Sequence, residues 1–426
     1  MAWQVVIAGG GFGGFYAARA LERHLPPQSA HVTLVNGSNF LLYTPLLPGA
    51  AGATLDPRHV VVPLRSQLHR TDLVIGHVEA GDPSAATMAV KRIDGERLEL
   101  SYDALIVALG SVSRTLPVPG LAEHGIGFKS LTDAVTLRNQ VLQCFDIAET
   151  LEDPEGRAEY LTFVFIGAGY AGVEGLAELQ DFAAQAIRYY PRCAAQGMRW
   201  VLAEARERIM MEVPESLSRF AEAELRGRGI EVATDTTLQE VSADRVQLSH
   251  GAPIPARTLV WTAGVRPSPA VARLGLNLDA NGRIPVDRTM RVTGLPVWAI
   301  GDCAAVPDPA RPGQPCPPTA QHAIRQGRLV AHNVACALRG QPAKPFRYRT
   351  RGVVADLGAG QAVAITFGVR WRGFPAWLIA RTYHLLLMPG LGRRLRLLVD
   401  WNVALLFGRD SSSPGRLGAP TPLEDS

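Results

Sequence analysis

Two glycine-rich turns with the spacing of phosphate-binding loops occur in this chain: Gly9-x-Gly11-x-x-Gly14 and Gly167-x-Gly169-x-x-Gly172. Each follows a short apolar run and precedes an alanine-rich stretch, which predicts a buried strand, the turn and then a helix. Glycine lets the backbone approach a pyrophosphate, whose charge is stabilised at the N-terminus of the helix. Two such turns predict two dinucleotides, one held permanently and a second that binds and leaves.

In such a site an acid roughly 20 residues beyond the turn accepts hydrogen bonds from the ribose hydroxyls. After the first glycine turn this position is Asn36, whose amide oxygen accepts without a charge; alternatively, Asn36 is only a turn residue in NGSN. After the second glycine turn the acid is Glu204. A carboxylate repels a 2′-phosphate and favours NADH, although the neighbouring Arg206 and Arg208 leave NADPH as an alternative.

The apolar periodicity predicts the elements that position these residues. In the first unit it predicts a helix at 12–24 and strands at 5–8, 32–35, 73–75 and 103–108. Residues 132–149 have helical spacing and lead into a polar linker, EDPEGRAE. In the second unit, at 160–269, we expect the strands TFVFI, WVLAEA and TLVWTAG and a helix through DFAAQAIRYYPRC. The strand VWAIG then returns the chain to the first unit.

This order predicts an α/β protein with two Rossmann-like dinucleotide-binding domains, the second inserted into the first. The boundaries that we predict are 1–150 for the first part of the first domain, 158–270 for the inserted domain, 271–340 for the return segment, 341–410 for a C-terminal amphipathic region and 411–426 for a disordered tail.

Composition limits the class of protein. A chain of 426 residues that is 47% apolar forms a large core, and a net charge of +4 is too mild for a nucleic-acid binder. Only three of 43 basic residues are lysines, which suggests a GC-rich bacterial genome. The five cysteines are widely spaced without CxxC, so we expect neither disulfides nor a redox dithiol, and we predict no metal site. With no signal peptide and no long apolar span, the chain is expected to face the cytoplasm.

The C-terminal region is rich in arginine and aromatic residues. Between residues 369 and 409 there are seven arginines and one acid, Asp400, and Arg393, Arg394 and Arg396 lie beside the apolar face of a predicted helix that extends to Leu405. This composition is typical of an amphipathic segment that lies on an anionic membrane surface. A core helix with a basic edge, or a dimer interface, is the alternative.

Over residues 5–410 the chain resembles the type II NADH dehydrogenases, which are single-subunit NADH:quinone oxidoreductases that pump no protons. The matching segments, in order, are GGGFGGFYAARAL, YTPLLPGAAGATLDPRHVVVPLR, FVFIGAGYAGVEGLAEL, TLVWTAGVRPSP, VWAIGDCAA, PPTAQHAIRQG and MPGLGRRLRLLVDW. The resemblance implies tightly bound FAD in the first domain, NADH as the substrate in the second, and a membrane quinone as the acceptor. It also implies a peripheral enzyme on the cytoplasmic side of the membrane.

The resemblance also assigns roles to single residues. Asp302 corresponds to the acid that binds the ribityl chain of FAD, and its alternative role is the N-cap of a helix from Cys303 onward. The further flavin contacts that it implies are Thr44, Pro45, Gly110 and Ala320.

Three residues are matched to the catalytic site. Glu174 corresponds to a glutamate near the nicotinamide, or else is an acid favoured by the helix dipole. Gln321 and Gln326 match glutamines that line the quinone pocket. His322 adds a potential proton donor, and Arg325 stands where the family usually has glutamine; a solvated helix face is the alternative for both.

Two other functions remain open at this stage. One is a soluble NAD(P)H reductase of an iron–sulfur carrier protein, whose acidic surface would dock on the basic face. The other is a flavin-bearing NADH sensor with slow turnover. The missing dithiol argues against disulfide-reductase chemistry.

Overall fold

The computed structural model describes residues 2–350 and 352–413. The predicted tail lies outside the described residues from position 414 onward. The described chain forms two compact units: unit 1 comprises residues 2–42, Val61–Arg114 and Val265–Thr350, and unit 2 comprises Tyr43–Val60, Thr115–Gly264 and 352–413. The units are groups of packed residues and do not test the predicted domain boundaries, which stay predictions.

The α-helices of the described residues are α1 Phe12–His24, α2 Leu47–Ala51, α3 Leu121–His124, α4 Leu131–Thr150, α5 Pro154–Tyr160, α6 Tyr170–Ala186, α7 Pro191–Gln196, α8 Glu215–Gly227, α9 Ala320–Leu338, α10 Phe374–Leu387 and α11 Leu391–Phe407.

The strands of the first third of the chain are β1 Trp3–Ala8, β2 Ala30–Asn36, β3 Phe40–Leu42, β4 Val61–Pro63, β5 Thr71–Asp82, β6 Thr87–Arg92, β7 Arg97–Ser101, β8 Ala104–Val107, β9 Ser111–Ser113 and β10 Gly125–Gly127. The strands that follow are β11 Thr162–Ile166, β12 Arg199–Ala203, β13 Ile230–Ala233, β14 Leu238–Val241, β15 Arg245–Leu248, β16 Ile254–Pro255, β17 Thr258–Trp261, β18 Val265–Pro267, β19 Ile284–Pro285, β20 Val297–Ala299, β21 Ala304–Ala305, β22 Gly352–Asp356, β23 Ala362–Thr366 and β24 Val369–Arg372.

Unit 1 is built on a seven-stranded sheet in the order β20-β8-β1-β2-β5-β6-β7. The strands from β20 to β5 are parallel, and β6 and β7 extend the sheet as antiparallel strands. Residues 5–8 of β1 are buried because they pair on both sides and are covered on both faces. The strand order reverses beside β1, and ligands of open α/β sheets bind in the crevice at such a switch point.

Unit 2 repeats this arrangement with a five-stranded parallel sheet in the order β10-β17-β11-β12-β13. Every residue of β11 is buried, and Phe163 stacks on Trp200 of the neighbouring strand with ring centroids 4.5 Å apart. The order reverses beside β11, which carries the second glycine turn at its end. The predicted fold class, α/β with two Rossmann-like folds, is therefore confirmed.

Two local predictions are wrong. The sequence EDPEGRAE is not a linker but forms α5, because the Asp153 side chain caps the backbone N–H groups of Glu155 and Gly156 and Pro154 fits the first helical position. The helix predicted through DFAAQAIRYYPRC is broken: α6 ends at Ala186, a 3₁₀ turn follows, and α7 starts at Pro191. Proline disfavours helical backbone in the residue before it.

The C-terminal part of unit 2 contains the antiparallel sheet β22-β23-β24 and the helices α10 and α11. Only Leu397 of α11 is buried. The apolar residues that α11 exposes, from 41% to 83%, are Leu391, Leu395, Leu398, Val399, Val403, Leu405, Leu406 and Phe407. Among the described residues no helix is both long enough and apolar enough to cross a bilayer.

Candidate functional site

The first glycine turn, in unit 1, connects β1 to α1. Gly9 has a φ of +104°, and a Cβ at Gly14 would lie 1.8 Å from the carbonyl oxygen of Gly9, so both positions require glycine. A Cβ built on Gly11 meets nothing within 4 Å, and the first turn of α1 contains no acid. Open space at a positive helix end fits a pyrophosphate group.

Asn36, the last residue of β2, holds this turn. Its Oδ1 accepts a hydrogen bond from the Gly10 N–H at 2.8 Å, and its Nδ2 donates to the carbonyl oxygen of Ser38 at 2.9 Å. The amide thus uses both an acceptor and a donor. An ionised carboxylate in this place would have acceptors but no donor. The predicted contact of Asn36 with a ribose stays a prediction.

Asp302 lies in a single 3₁₀ turn, Gly301–Cys303, after β20. The alternative role of Asp302 as the cap of a helix from Cys303 is wrong, because the chain continues as the strand β21. Its Oδ2 accepts a hydrogen bond of 2.6 Å from the hydroxyl of Ser111. Ser111 directly follows Gly110, which has a φ of +66° and open space on its Cβ side.

The helix α9 begins after Thr319. The Thr319 hydroxyl caps the helix by accepting a hydrogen bond from the His322 N–H at 3.3 Å. Ala320 is the first residue of α9, and the first turn of the helix carries no acid. Half-buried Gln321 follows, and its Oε1 accepts a hydrogen bond from the Tyr348 hydroxyl at 2.7 Å.

Gln326 occupies a different environment from Gln321. Its side chain is 1% exposed, and its Oε1 accepts a hydrogen bond from the Gly301 N–H at 2.7 Å. This placement does not support the predicted direct contact of Gln326 with an acceptor. It makes Gln326 a residue that ties the turn of Asp302 to α9.

The alternative of a solvated helix face is wrong for His322, whereas Arg325 is half-buried. His322 is 6% exposed, and burial lowers its pKa, so the imidazole is neutral near pH 7. The Arg325 guanidinium lies 4.1 Å from the centroid of the Tyr348 ring.

The second glycine turn, in unit 2, has the same construction as the first. Gly167 has a φ of +100°, and a Cβ at Gly172 would lie 1.9 Å from its carbonyl oxygen. Gly169 is the N-cap of α6, and the nearest atom to a Cβ there is 3.7 Å away. This turn also leaves the space that a pyrophosphate needs.

Glu204 occupies in unit 2 the place that Asn36 occupies in unit 1. Its Oε2 accepts a hydrogen bond from the Ala168 N–H at 2.7 Å, and its Oε1 accepts one from the Arg206 N–H at 3.1 Å. The Arg208 guanidinium donates to the carbonyl oxygens of Met210, Met211 and Val213. The Arg208 guanidinium therefore binds carbonyl groups of its own loop. Arg206, which is exposed, is the arginine that lies beside Glu204.

Glu174 lies on α6 and accepts a hydrogen bond of 2.9 Å on Oε1 from the backbone N–H of Asp356. Burial raises the pKa of Glu174 to about 8 despite this bond. Burial also raises the pKa of Asp356, with the carboxylate of Glu178 acting in the same direction. Glu174 is therefore mostly protonated near pH 7 and is able to donate a hydrogen bond.

A small cavity of unit 2 joins Glu174 and Asp356 to Pro45, Arg381 and His384. Burial lowers the pKa of His384 to about 4, so this imidazole is neutral. Predicted flavin contacts Thr44 and Pro45 form a 3₁₀ turn, in which Thr44 is exposed and Pro45 lines the cavity.

Arg381 and Arg409 are turned inward. The Arg381 guanidinium lies between the rings of Trp377 and Trp401, 4.3 and 4.8 Å from their centroids. We call Arg409, Glu178, Asp181 and the carbonyl of Gly52 the Arg409 cluster. In it the guanidinium contacts Glu178 Oε2 at 2.9 Å, the Gly52 oxygen at 2.8 Å and Asp181 Oδ2 at 3.3 Å.

Sequence reasoning missed Ser111, Tyr348, Asp356 and His384. Ser111 follows a predicted strand end and a glycine, which is a usable signal for a polar contact at the sheet edge. The other three are single polar residues in the stretch that was assigned only by its composition. Their hydrogen-bond partners lie 27, 182 and 341 residues away along the sequence, so no local sequence pattern predicts these contacts.

Comparisons with known proteins agree with this geometry. The profile of the family described as pyridine nucleotide-disulphide oxidoreductase matches residues 3–327. The type II NADH:quinone oxidoreductase Ndh of Mycobacterium tuberculosis is 31% identical over 426 residues, covering 95% of this chain and 89% of that protein. A probable NADH dehydrogenase of Dictyostelium discoideum is 29% identical, with 96% and 91% covered.

Among solved structures, NDH2 from Plasmodium falciparum in complex with NADH has the same fold. Its TM-score is 0.87 at 18% identity, and the match covers 97% of this chain and 100% of that one. The chain belongs to the pyridine nucleotide-disulphide oxidoreductase family and, within it, to the type II NADH:quinone oxidoreductases.

Proposed function

We infer that this protein is an FAD-dependent oxidoreductase that takes a hydride from NADH and passes two electrons to a quinone, without pumping protons. The observation that carries this function is the pair of equivalent glycine turns, one in each unit, in a chain of this family. FAD supplies the redox chemistry when it is bound, since it accepts a hydride and releases electrons to the acceptor.

We assign the FAD dinucleotide to the glycine turn of unit 1. The N-terminus of α1 would bind the pyrophosphate, and Asn36 keeps the turn in shape through the Gly10 N–H. Asp302, held by the Ser111 hydroxyl, is the proposed acceptor for a ribityl hydroxyl. Gly110 leaves room beside it.

Substrate NADH is assigned to the glycine turn of unit 2. Glu204 would accept hydrogen bonds from the ribose diol, and its charge would repel the 2′-phosphate of NADPH. Glu174, protonated near pH 7 and held by the Asp356 N–H, is the proposed hydrogen-bond donor near the nicotinamide. A carboxyl with a pKa of about 8 is also able to take up and release a proton in the neutral range.

The acceptor site is assigned to the N-terminus of α9. Gln321 is the proposed hydrogen-bonding residue for a quinone carbonyl, and the dipole of α9 would stabilise negative charge that develops nearby. Gln326 is proposed to act indirectly and not by contact with the quinone, because its buried amide fixes the turn that carries Asp302.

The test of this function is anaerobic reduction of the purified yellow protein by NADH, followed by stopped-flow mixing with a water-soluble quinone. We expect the flavin absorbance to fall with NADH and to return quickly with the quinone. Reduction without a quinone response would support an iron–sulfur carrier reductase or a sensor instead. Absence of flavin would refute the assignment of both glycine turns.

We also propose that the protein is peripheral to the cytoplasmic face of the membrane and binds it through the exposed face of α11. The support is that the apolar residues of α11 point outward, which a core helix does not allow, and that exposed Arg396 lies among them. Anionic lipids on the cytoplasmic leaflet attract such a surface.

Vesicle flotation tests the membrane proposal. Leu395→Glu/Leu406→Glu places two charges on the exposed face of α11, and we expect it to abolish flotation with anionic vesicles. The control is Ile93→Glu, since Ile93 is also an exposed apolar residue, 76% accessible, but lies in unit 1. The alternative is that the exposed face of α11 forms a homodimer. In that case the double variant should lower the molecular mass of the protein in solution and leave its flotation unchanged.

A further inference from the structure

Glu212 places a carboxylate at the second glycine turn. Its Oε1 lies 3.7 Å from the position that a Cβ on Gly169 would occupy. Gly169 is the N-cap of α6 and the second glycine of the turn, the one that lets the backbone approach a pyrophosphate. The carboxylate therefore lies beside the place that we assign to the pyrophosphate of NADH.

Tyr170, the first residue of α6, is affected by the same carboxylate. Its hydroxyl is buried and has no hydrogen-bond partner among the described residues. Burial raises the pKa of Tyr170, and the negative charges of Glu212 and Glu174 act in the same direction. Both the distance to Gly169 and this effect on Tyr170 place the Glu212 carboxylate near the N-terminus of α6.

The loop that carries Glu212 is fixed to the glycine turn. The Met210 N–H donates to the Ala168 carbonyl oxygen at 2.8 Å, and Met210 has a φ of +48°, which residues other than glycine seldom adopt. The Arg208 guanidinium donates to the carbonyl oxygens of Met210 and Val213 at 3.3 and 3.1 Å. Because these contacts fix the backbone on both sides of Glu212, its exposed side chain is free to rotate while its Cα stays beside the turn.

The first glycine turn differs from the second at this place. Gly11 corresponds to Gly169, and no atom of the described residues lies within 4 Å of the position of a Cβ on Gly11. The dinucleotide that we assign to the first turn is FAD, which stays bound. The dinucleotide that we assign to the second turn is NADH, which leaves as NAD⁺ after each hydride transfer. The negative charge thus lies at the turn whose ligand has to be released.

A carboxylate in this position repels a pyrophosphate, because both are negatively charged at neutral pH. The N-terminus of α6 attracts the pyrophosphate, and the Glu212 carboxylate opposes this attraction. NADH and NAD⁺ contain the same pyrophosphate, so the repulsion acts on the substrate and on the product alike.

We propose that Glu212 lowers the affinity of the second glycine turn for the pyrophosphate of NADH and of NAD⁺, and so favours the exchange of product for substrate. This inference rests on the proposed NADH site in unit 2. It gives the two acids at this turn different tasks. Glu204 distinguishes NADH from NADPH, whereas Glu212 sets how tightly either form of the dinucleotide is held.

Glu212→Gln is the direct test, because it removes the charge and keeps the size of the side chain. The probe is ADP-ribose, which contains the adenosine, the pyrophosphate and the second ribose of NADH but has no nicotinamide and does not reduce the flavin. Isothermal titration calorimetry on the FAD-loaded protein at low salt gives its Kd. We expect this Kd to fall about fivefold, as for removal of one charge about 4 Å from another in water. The inhibition constant of NAD⁺ should fall by the same factor.

Salt and two controls separate this repulsion from other effects. Raising salt to about 0.5 M should reduce the difference between Glu212→Gln and the parent. Glu207 is an exposed glutamate of the same loop, and Glu207→Gln should leave the Kd of ADP-ribose unchanged. Adenosine, which has no pyrophosphate, should bind equally to the parent and to Glu212→Gln. Flavin absorbance and the thermal midpoint verify that each variant folds with its cofactor.

Equal or weaker binding of ADP-ribose by Glu212→Gln overturns the proposal, because the carboxylate would then be indifferent to the pyrophosphate or would help to bind it. Tighter binding of adenosine, or the same gain in Glu207→Gln, overturns it as well, since the effect would not depend on a pyrophosphate at Gly169. A parent protein that does not bind ADP-ribose refutes the proposed NADH site itself, so the two failures are distinguishable.

Discussion

At the scale of single residues, the two glycine turns use different side chains for the same task. Asn36 and Glu204 each accept a hydrogen bond from the second residue of a turn, at 2.8 and 2.7 Å. The amide fixes a further loop through its Nδ2, and the carboxylate brings a negative charge to the site that we propose for the ribose of NADH. If the proposed NADH site is right, the charge lies where NADH has to be distinguished from NADPH.

Glu204→Ala should weaken the use of NADH and reduce the preference over NADPH. Loss of a charged hydrogen-bond acceptor costs about 1.5 kcal/mol or more, so we expect kcat/KM for NADH to fall roughly tenfold. The value for NADPH should fall less or rise, because the repulsion of the 2′-phosphate is removed. Steady-state kinetics with both nucleotides measure this. Exposed Glu207 provides the control, and Glu207→Ala should leave both values unchanged.

Glu174 makes stability depend on pH. Its pKa is raised from 4.5 to about 8, so the unfolded chain ionises this carboxyl from about pH 4.5 upward while the folded protein keeps it protonated. The parent protein should therefore lose stability relative to Glu174→Gln as pH rises from 5 to 8, by at most about 1.4 kcal/mol per pH unit. Denaturant midpoints of the two proteins across this range give the difference. Parallel curves would contradict the raised pKa.

At the scale of elements, the described end of the chain is anchored both within α11 and after it. Asp400 of α11 pairs with His59 at 2.6 Å and accepts a hydrogen bond from the Asp56 N–H at 3.1 Å. Arg409 follows the helix and enters the Arg409 cluster, where its side chain is 9% exposed and that of Glu178 is 5% exposed. α11 itself contributes only Leu397 to the buried set. The cluster therefore connects the C-terminal helices to α6, which also carries Glu174.

Arg409→Met should be strongly destabilising. It leaves the Glu178 and Asp181 carboxylates without this partner in a buried place, and removal of one member of a buried ion pair costs about 3 kcal/mol. Arg396→Met is the control because Arg396 is exposed on α11, and its unfolding free energy should be close to that of the parent. Urea unfolding measures both. An equal midpoint for the two variants would show that the cluster contributes little.

The elements that the sequence predicts well are those whose signals are local. The glycine turns, the helix at 12–24 and the strand TFVFI follow from spacing within a few residues, and the structure has them at those positions. The cap at Asp153 was missed although the signal, an acid before proline, is present in EDPEGRAE. Polar composition was given more weight there than capping chemistry, and a helix was taken for a linker.

The candidate site could be predicted only in part. Asp302 and Gln321 lie at a strand end and a helix start, where a motif identifies them. The burial of Gln326 and the contacts of Tyr348 depend on how α9 packs on the turn of Asp302 and on the segment after α9. These contacts join residues that carry no pattern of their own, so the structure was needed to separate the two glutamines.

At the scale of the whole molecule, the arginine count of the C-terminal region overstates the charge it presents. Two of the seven arginines, Arg381 and Arg409, are turned inward, against tryptophans and carboxylates respectively. Arg370, Arg372 and Arg396 are exposed. The electrostatic attraction to anionic lipid should therefore be moderate. We expect burial of the apolar face of α11 to supply the remaining part of the membrane affinity.

Membrane binding should show both contributions. Binding to vesicles with phosphatidylglycerol should fall about tenfold when salt is raised from low concentration to 0.5 M, because salt screens the exposed arginines. A residual affinity for neutral phosphatidylcholine vesicles should persist, since apolar burial is insensitive to salt. Co-sedimentation at the two salt concentrations checks this. Complete loss of binding to both vesicle types at high salt would argue against insertion of the α11 face.

The position of Arg409, two residues beyond α11, also determines how shortened forms of the chain would behave. Cutting after residue 413 keeps the contacts of Arg409 with Gly52 and Glu178, whereas cutting after Phe407 removes them and leaves α10 and α11 complete. Within the described residues, a deletion series would therefore lose the stability that Arg409 provides before it loses any residue of α11. A weakened short form would then report a lost ion pair and not a lost membrane contact.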